Sequence, residues 1–158
     1  MPRRTTELDP LDLKILARYQ DDTRAPAQSI GRAVGLSAAA VQRRLKRMRE
    51  TGVIVSEVAC IAPEQVGYPT TCIVGVRLER EGHTENARFK HAMAKHRQVQ
   101  QCYSVTGDID FMLVVLARDM HDFEAWAQEV LYADGNVKTF TTFVSLDRVK
   151  VGVHTPID

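Results

Sequence analysis

Apolar residues recur with a helical period in the first third of the chain and with a two-residue period further on. Leu8, Leu11, Ile15, Leu16 and Tyr19 follow the helical pattern. Asp9 can cap that helix, Pro10 suits its first position and Asp12 favours its positive end, so a helix is predicted from about Pro10 to Gln20. The stretch DDTRAP is a loop. A short second helix, Ala27 to Val34, turns Ile30, Ala33 and Val34 inward. Gly35 and Leu36 form a tight corner before GLSAAAVQRRLKRMRETG, which places Val41, Leu45 and Met48 on one narrow arc. Ala39, Arg43, Lys46, Arg47 and Glu50 fall roughly opposite. Ser37 can cap this third helix, and Gly52 can close it in a left-handed conformation. Three apolar stripes then make a small three-helix core, and Val53-Ile54-Val55 reads as a short extended exit strand.

Residues 56–69 read as a linker with a strand at Val58 to Ile61, punctuated by Pro63, Gly67 and Pro69. From Thr70 the period changes. TCIVGVRLE is strand-like, with Cys72, Val74, Val76 and Leu78 on one face. EGHTENARFKHAMAKH is helical, with Phe89, Ala92, Met93 and His96 on one side. VQQCYSVTGDIDFMLVVLARD holds two strands around a turn at Thr106-Gly107-Asp108. DMHDFEAWAQEVLY is a helix capped by Asp119 with Phe123, Trp126, Ala127 and Val130 inward, and VKTFTTFVSLDRVKV is a final strand. The order β-α-β-β-α-β is the ferredoxin-like split unit. The expected organisation is therefore an α+β chain with a helix-turn-helix domain over 1–55, a linker over 56–69 and a ferredoxin-like domain over 70–158.

Charge sharpens that division. Residues 1–55 carry 11 Lys/Arg against 6 Asp/Glu, and residues 56–158 carry 10 against 14. A basic front and an acidic rear suggest that only the front meets nucleic acid. No run of about 18 apolar residues spans a membrane, and MPRRTTELDP reads as a basic arm with no signal-peptide core. Cys60, Cys72 and Cys102 have no CxxC spacing, which fits reduced thiols in a cytoplasmic protein.

Two short helices joined by a Gly-containing turn form a helix-turn-helix, whose second helix enters the major groove of double-stranded DNA with its N-terminal residues at the base edges. Ser37 opens that helix, and Ala38, Ala39, Gln42 and Arg43 are its N-terminal residues. Ala permits close approach and contact with thymine methyls, Gln pairs with adenine and Arg with guanine. Arg44, Lys46, Arg47 and Arg49 lie further along, placed for phosphates. The plainer reading is a solvated basic face. The capped turn and the preceding helix favour DNA.

No catalytic pair, metal cluster or phosphate loop stands out. His91 and His96, five apart, miss the i, i+4 register of a helical metal site. No cofactor, metal or enzymatic activity is expected. Phe111 to Leu116 is apolar at every position, unlike an antiparallel strand with one wet face. Two right-handed crossovers put both helices on one face of the sheet, so the other face needs a cover. A second copy in a two-fold dimer supplies one.

Together, LDPLDLKIL (8–16), Arg24, VGLSAAAVQRRLKRMRETGVI (34–54), SVTGDIDFMLVV (104–115) and GNVKTFTTFVSLDRVK (135–150) resemble the Lrp/AsnC family, the feast/famine regulators. The resemblance implies a winged helix-turn-helix domain and a ferredoxin-like domain that dimerises and senses small molecules, usually amino acids. It implies further assembly to tetramers or octamers, with the effector bound near the Gly-Asp-x-Asp hairpin and the last strand. Ala38-Ala39-Ala40 is blander than many members at that position, which leaves the operator open.

A free amino acid offers an ammonium and a carboxylate. Asp108 and Asp110 can meet the first. The Gly107 backbone and the hydroxyls of Ser104, Thr106, Thr139, Thr141 and Thr142 can meet the second. A small or medium neutral side chain is expected, because no Arg or Lys lies within Val105–Leu116 and Lys138 is the nearby exception. The plainer reading is an ordinary Gly-Asp turn beside a Thr-rich strand. The competing functions are an amino-acid-binding regulatory subunit of an enzyme and a catalytic domain on the same scaffold, which fold alone does not exclude.

Overall fold

Three helices come first in chain order, and a mixed run of strands and helices follows, as the apolar periods require. The computed structural model describes residues 7–80 and 82–157, so the N-terminal basic arm at 1–6 lies outside the described residues. The chain divides into two units, Met1–Ala59 with Lys150–Asp158, and Cys60–Val149. The segment from Lys150 onward groups with the helical unit by its contacts, whereas the sequence division runs the second domain to 158.

The first unit holds α1 (Pro10–Tyr19), α2 (Ala27–Val34) and α3 (Ala38–Glu50). Ile15, Tyr19, Ile30, Val41, Leu45 and Met48 form its core. Asp9 and Asp12 close a reciprocal capping box at the start of α1, each side chain accepting the other's backbone N–H, at 2.8 and 3.1 Å. The turn between α2 and α3 depends on close packing. Leu36 donates its N–H to the Gly31 carbonyl at 2.8 Å, and a Cβ built on Gly31 would stand 2.4 Å from the Leu36 carbonyl oxygen.

The exit strand expected at 53–55 does not form, nor does the one at 58–61. Among the described residues the first unit contains no strand and so no wing. A strand needs a neighbouring ladder. Here the Ile54 N–H is donated instead to the Met48 carbonyl at 3.0 Å, closing α3, while Val53 and Ile54 pack on the three-helix core.

The second unit begins with a short 3-10 turn at Pro63–Val66, then β1 (Thr70–Leu78), α4 (His83–Met93), β2 (Val99–Ser104), β3 (Phe111–Ala117), α5 (Met120–Ala127) and β4 (Val137–Val144). The antiparallel sheet has the order β2-β3-β1-β4, and the split βαββαβ topology stands. Cys72, Val74, Val76 and Leu78 are buried with Phe111, Leu113 and Val115 under α4 and α5. Helix α4 ends at Met93, so His96 lies beyond it, its ring edge-on to Trp126 at 6.5 Å. Asp119 caps α5 through the Asp122 N–H at 2.7 Å, and α5 runs on into a wide π-type turn at Gln128–Tyr132.

The apolar run in β3 resolves into two faces. Phe111, Leu113, Val115 and Ala117 are buried beneath the helices, while Met112, Val114 and Leu116 are half-buried on the opposite face. The register sets Gly75 beside Met112 and Thr141, and Ile73 beside Val114 and Phe143. Tyr103 and Gln101 complete this open face from β2.

Candidate nucleic-acid interface and effector site

Helix α3 has one face committed to the core and one to solvent. The Ser37 hydroxyl accepts the Ala40 N–H at 3.2 Å, so the helix starts where the sequence places it. Ala39, Gln42, Arg43 and Lys46 are exposed and Ala38 is half-buried. Arg43 has no acidic partner among the described residues, and Lys46 Nζ lies 3.8 Å from Glu50 between two exposed side chains.

The remaining guanidiniums turn toward helix α1 and the exit segment. Arg44 donates to Asp9 at 2.6 Å and to Asp12 at 2.8 Å, and Arg47 also donates to Asp12. The Asp12 side chain is only 1 % exposed. Burial pushes the Asp12 carboxyl upward, but the bonds from Arg44, the Asp9 backbone and Arg47 outweigh it and hold the group below the ordinary 3.8. Arg49 donates to Glu57 at 3.0 Å and to the Tyr19 hydroxyl at 2.7 Å, and that hydroxyl in turn donates to Glu57 at 2.5 Å. Tyr19 is held above its usual value by burial and by Glu57. Sequence reasoning assigned Arg44, Arg47 and Arg49 to phosphates. Arg44, whose side chain is 21 % exposed, is largely committed to acids within the unit, whereas Arg49 pairs with Glu57 and keeps 42 % exposure. Arg47 keeps 45 % side-chain exposure, so part of its head still faces solvent.

The hairpin between β2 and β3 brings Thr106, Gly107 and Asp108 to an exposed tip, with Gly107 at φ 121°. Asp110 behaves differently. Its carboxylate accepts the Leu78 N–H at 2.7 Å, its own N–H reaches the Val76 carbonyl at 2.9 Å, and its carbonyl accepts the Val105 N–H at 3.0 Å. One carboxylate oxygen therefore extends the β1–β3 pairing past the last ladder residue. Gly75 lies across from this corner, where an added Cβ would meet Ile109 Cδ1 at 3.2 Å.

Strand parity separates the hydroxyls. Thr139 pairs with Arg77 and Thr141 with Gly75, both on the open face. Thr142 pairs with Val74, whose side chain lies beneath the helices, and Ser104 pairs with Phe111 on that same side. Neighbouring strand residues point to opposite faces, so Thr141 and Thr142 do not share one pocket wall. Lys138 is paired with Glu79 at 3.0 Å.

Two family models match the chain. The AsnC-type helix-turn-helix domain covers residues 8–49 and the Lrp/AsnC ligand-binding domain covers 71–153. The chain belongs to the Lrp/AsnC family. It is a helix-turn-helix transcriptional regulator of that type. It is 42 % identical over 152 residues to the HTH-type transcriptional regulator y4tD of Sinorhizobium fredii, covering 96 % of this chain and 90 % of that one. Among solved structures, an AsnC family regulator from Agrobacterium tumefaciens superposes with a TM-score of 0.87 at 27 % identity, covering 94 % and 97 % of the two chains. A transcriptional regulator from Neisseria meningitidis, solved as a complex with L-Met, gives 0.88 at 25 % identity over 96 % and 98 %. Two residues do more than their place in the sequence indicates. Asp12 lies three residues before Ile15 and seven before Tyr19, on the buried stripe of α1, and that spacing was a usable signal for a buried acid. Arg77 carried no such signal, because only the β1–β4 register brings it opposite Thr139.

No helix among the described residues is long and apolar enough to cross a membrane.

Proposed function

We propose that this Lrp/AsnC regulator reads a major groove with the first two turns of α3. Ala38, Ala39, Gln42 and Arg43 meet base edges, Ser37 sits at the groove entrance, and Lys46 with the outer edge of Arg47 meets phosphates. Arg44 is reassigned to holding α1 and α3 together. The observation that carries this reading is the exposed Arg43, without an acidic partner among the described residues, on the capped first turns of the helix. An unpaired guanidinium is available for the bidentate contact with guanine.

The second unit senses an amino acid and pairs its open sheet face with that of a second copy. Half-buried Met112, Val114 and Leu116, with exposed Ile73 and Phe143, give that face an apolar centre, and dimers of this kind can assemble to tetramers or octamers. Asp108 at the hairpin tip meets the effector's ammonium. Thr106, the Gly107 backbone, Thr139 and Thr141 supply donors, and Arg77 opposite Thr139 supplies a cation for the carboxylate. Asp110, Ser104 and Thr142 leave the direct contact set, the first by its bond to Leu78 and the others by facing the helices. The L-Met bound to the Neisseria relative supports a medium-sized neutral side chain. The protein acts by binding, in the cytoplasm.

Selection of random DNA fragments by the full chain, with and without each of the twenty amino acids, tests both halves. The expected outcome is an enriched two-fold-symmetric site whose recovery changes with a few neutral amino acids. Fragments without a common sequence contradict the DNA reading, and recovery indifferent to all twenty contradicts the sensing.

A further inference from the structure

A groove of about 610 Å3 opens on the first unit between α1 and residues 53–57. Leu13, Leu16, Val53 and Val55 make its walls apolar, and Tyr19 and Glu57 form a polar end. Thr155, Pro156 and Ile157, from the other end of the chain, line the same groove.

The contact is directional as well as apolar. Gln20 Nε2 donates to the Thr155 carbonyl at 3.0 Å, and Gln20 Oε1 accepts the Thr155 N–H at 3.1 Å. A primary amide that satisfies one residue's N–H and C=O together repeats the pairing a neighbouring strand would offer. His154 Nδ1 lies 3.7 Å from Asp21. Residues 150–156 are exposed, yet Ile157 after them is half-buried. An extended segment fixed by a reciprocal amide pair and anchored by an apolar side chain is a seated peptide, not a trailing end.

We infer that residues 154–157 are a strap that forms one wall of this groove and ties α1 to the segment leaving α3. The inference goes beyond DNA and effector binding and rests on neither. The chain passes between its units twice, at Ala59–Cys60 and at Val149–Lys150.

Hydrogen exchange on the full chain, on a chain truncated after Val153, and on Gln20→Ala tests the strap. Gln20→Ala removes both hydrogen bonds without shortening the chain. In both variants, amides of 13–20 and 53–57 are expected to exchange severalfold faster, while amides of 41–48 in α3, which does not line the groove, keep wild-type rates. A synthetic peptide of residues 150–158 is expected to restore slow exchange to the truncated chain. Unchanged rates at 13–20 and 53–57 overturn the inference. So does an equal rise throughout α3, which is the signature of a unit destabilised as a whole.

Discussion

Asp12 shows how one buried acid organises the DNA-binding unit. Its carboxylate meets Arg44 and Arg47 from α3 while its backbone and side chain close the capping box of α1. Removing one partner of a fully buried pair costs about 3–5 kcal/mol. Half the Arg47 side chain faces solvent, so Asp12→Ala is expected to destabilise the unit by about 2–3 kcal/mol in urea unfolding, a discount for that screening. The pH dependence has a definite sign. The folded Asp12 carboxyl lies below the ordinary 3.8, so its contribution is full above that value and is lost as pH falls through the depressed one. Asp9 and Glu57 are depressed in the same direction, by Arg44 and by the Tyr19 hydroxyl first of all. The stability gap between wild type and Asp12→Ala is therefore expected to be constant from neutral pH to about 5 and to narrow below 4. The acid and its cap were legible from Asp9, Pro10 and Asp12 side by side. The ion pairs were not, because Arg44 lies 32 residues away and only the packed α1–α3 pair brings it near. Asp110 repeats the lesson: a ligand carboxylate and a structural one are the same residue type, and the distinction lies in a bond to Leu78 on another strand.

Elements with a strong period were readable, and those needing a partner were not. The three helices, both hairpin strands and the faces of β1 follow from spacing and caps alone. Val53-Ile54-Val55 has strand composition, but with no ladder beside it the Ile54 N–H completes the end of α3. Thr139, Thr141 and Thr142 form a hydroxyl-rich run that the pleat divides between two faces. The α2–α3 turn offers a direct test of element placement. Gly31→Ala sets a methyl 2.4 Å from a backbone oxygen, and overpacking of this kind costs about 1–3 kcal/mol. Thermal unfolding should show that loss in the helical unit, and DNA affinity should fall with it, because the turn sets where α3 points. In the sheet, Asp110→Ala leaves the Leu78 N–H without its partner and is expected to cost the second unit about 1–3 kcal/mol. Asp108→Asn should spare stability yet weaken amino-acid binding at least tenfold in calorimetric titration. Equal effects of the two substitutions on ligand affinity would contradict the division of roles between them.

At the scale of the whole molecule, the basic front and acidic rear of the sequence correspond to a DNA-binding unit and a sensing unit, and the apolar open face of the sheet is where we propose that a second copy pairs. On that proposal, wild type sediments as a dimer, and a charge placed at the centre of the face, Val114→Glu, is expected to give a monomer with the helical unit still folded. Reading a two-fold site requires that dimer, so the same variant should lose operator affinity while keeping weak attachment to any DNA. The most direct test of the central claim is an equilibrium titration of wild type, Arg43→Ala and Lys46→Ala against the selected operator and a random duplex at several salt concentrations. Arg43→Ala is expected to lose discrimination between the two duplexes by about 1–3 kcal/mol, whereas Lys46→Ala weakens both alike and lowers the salt slope by about one. Equal losses on operator and random DNA for Arg43→Ala would contradict base reading by the first turns of α3.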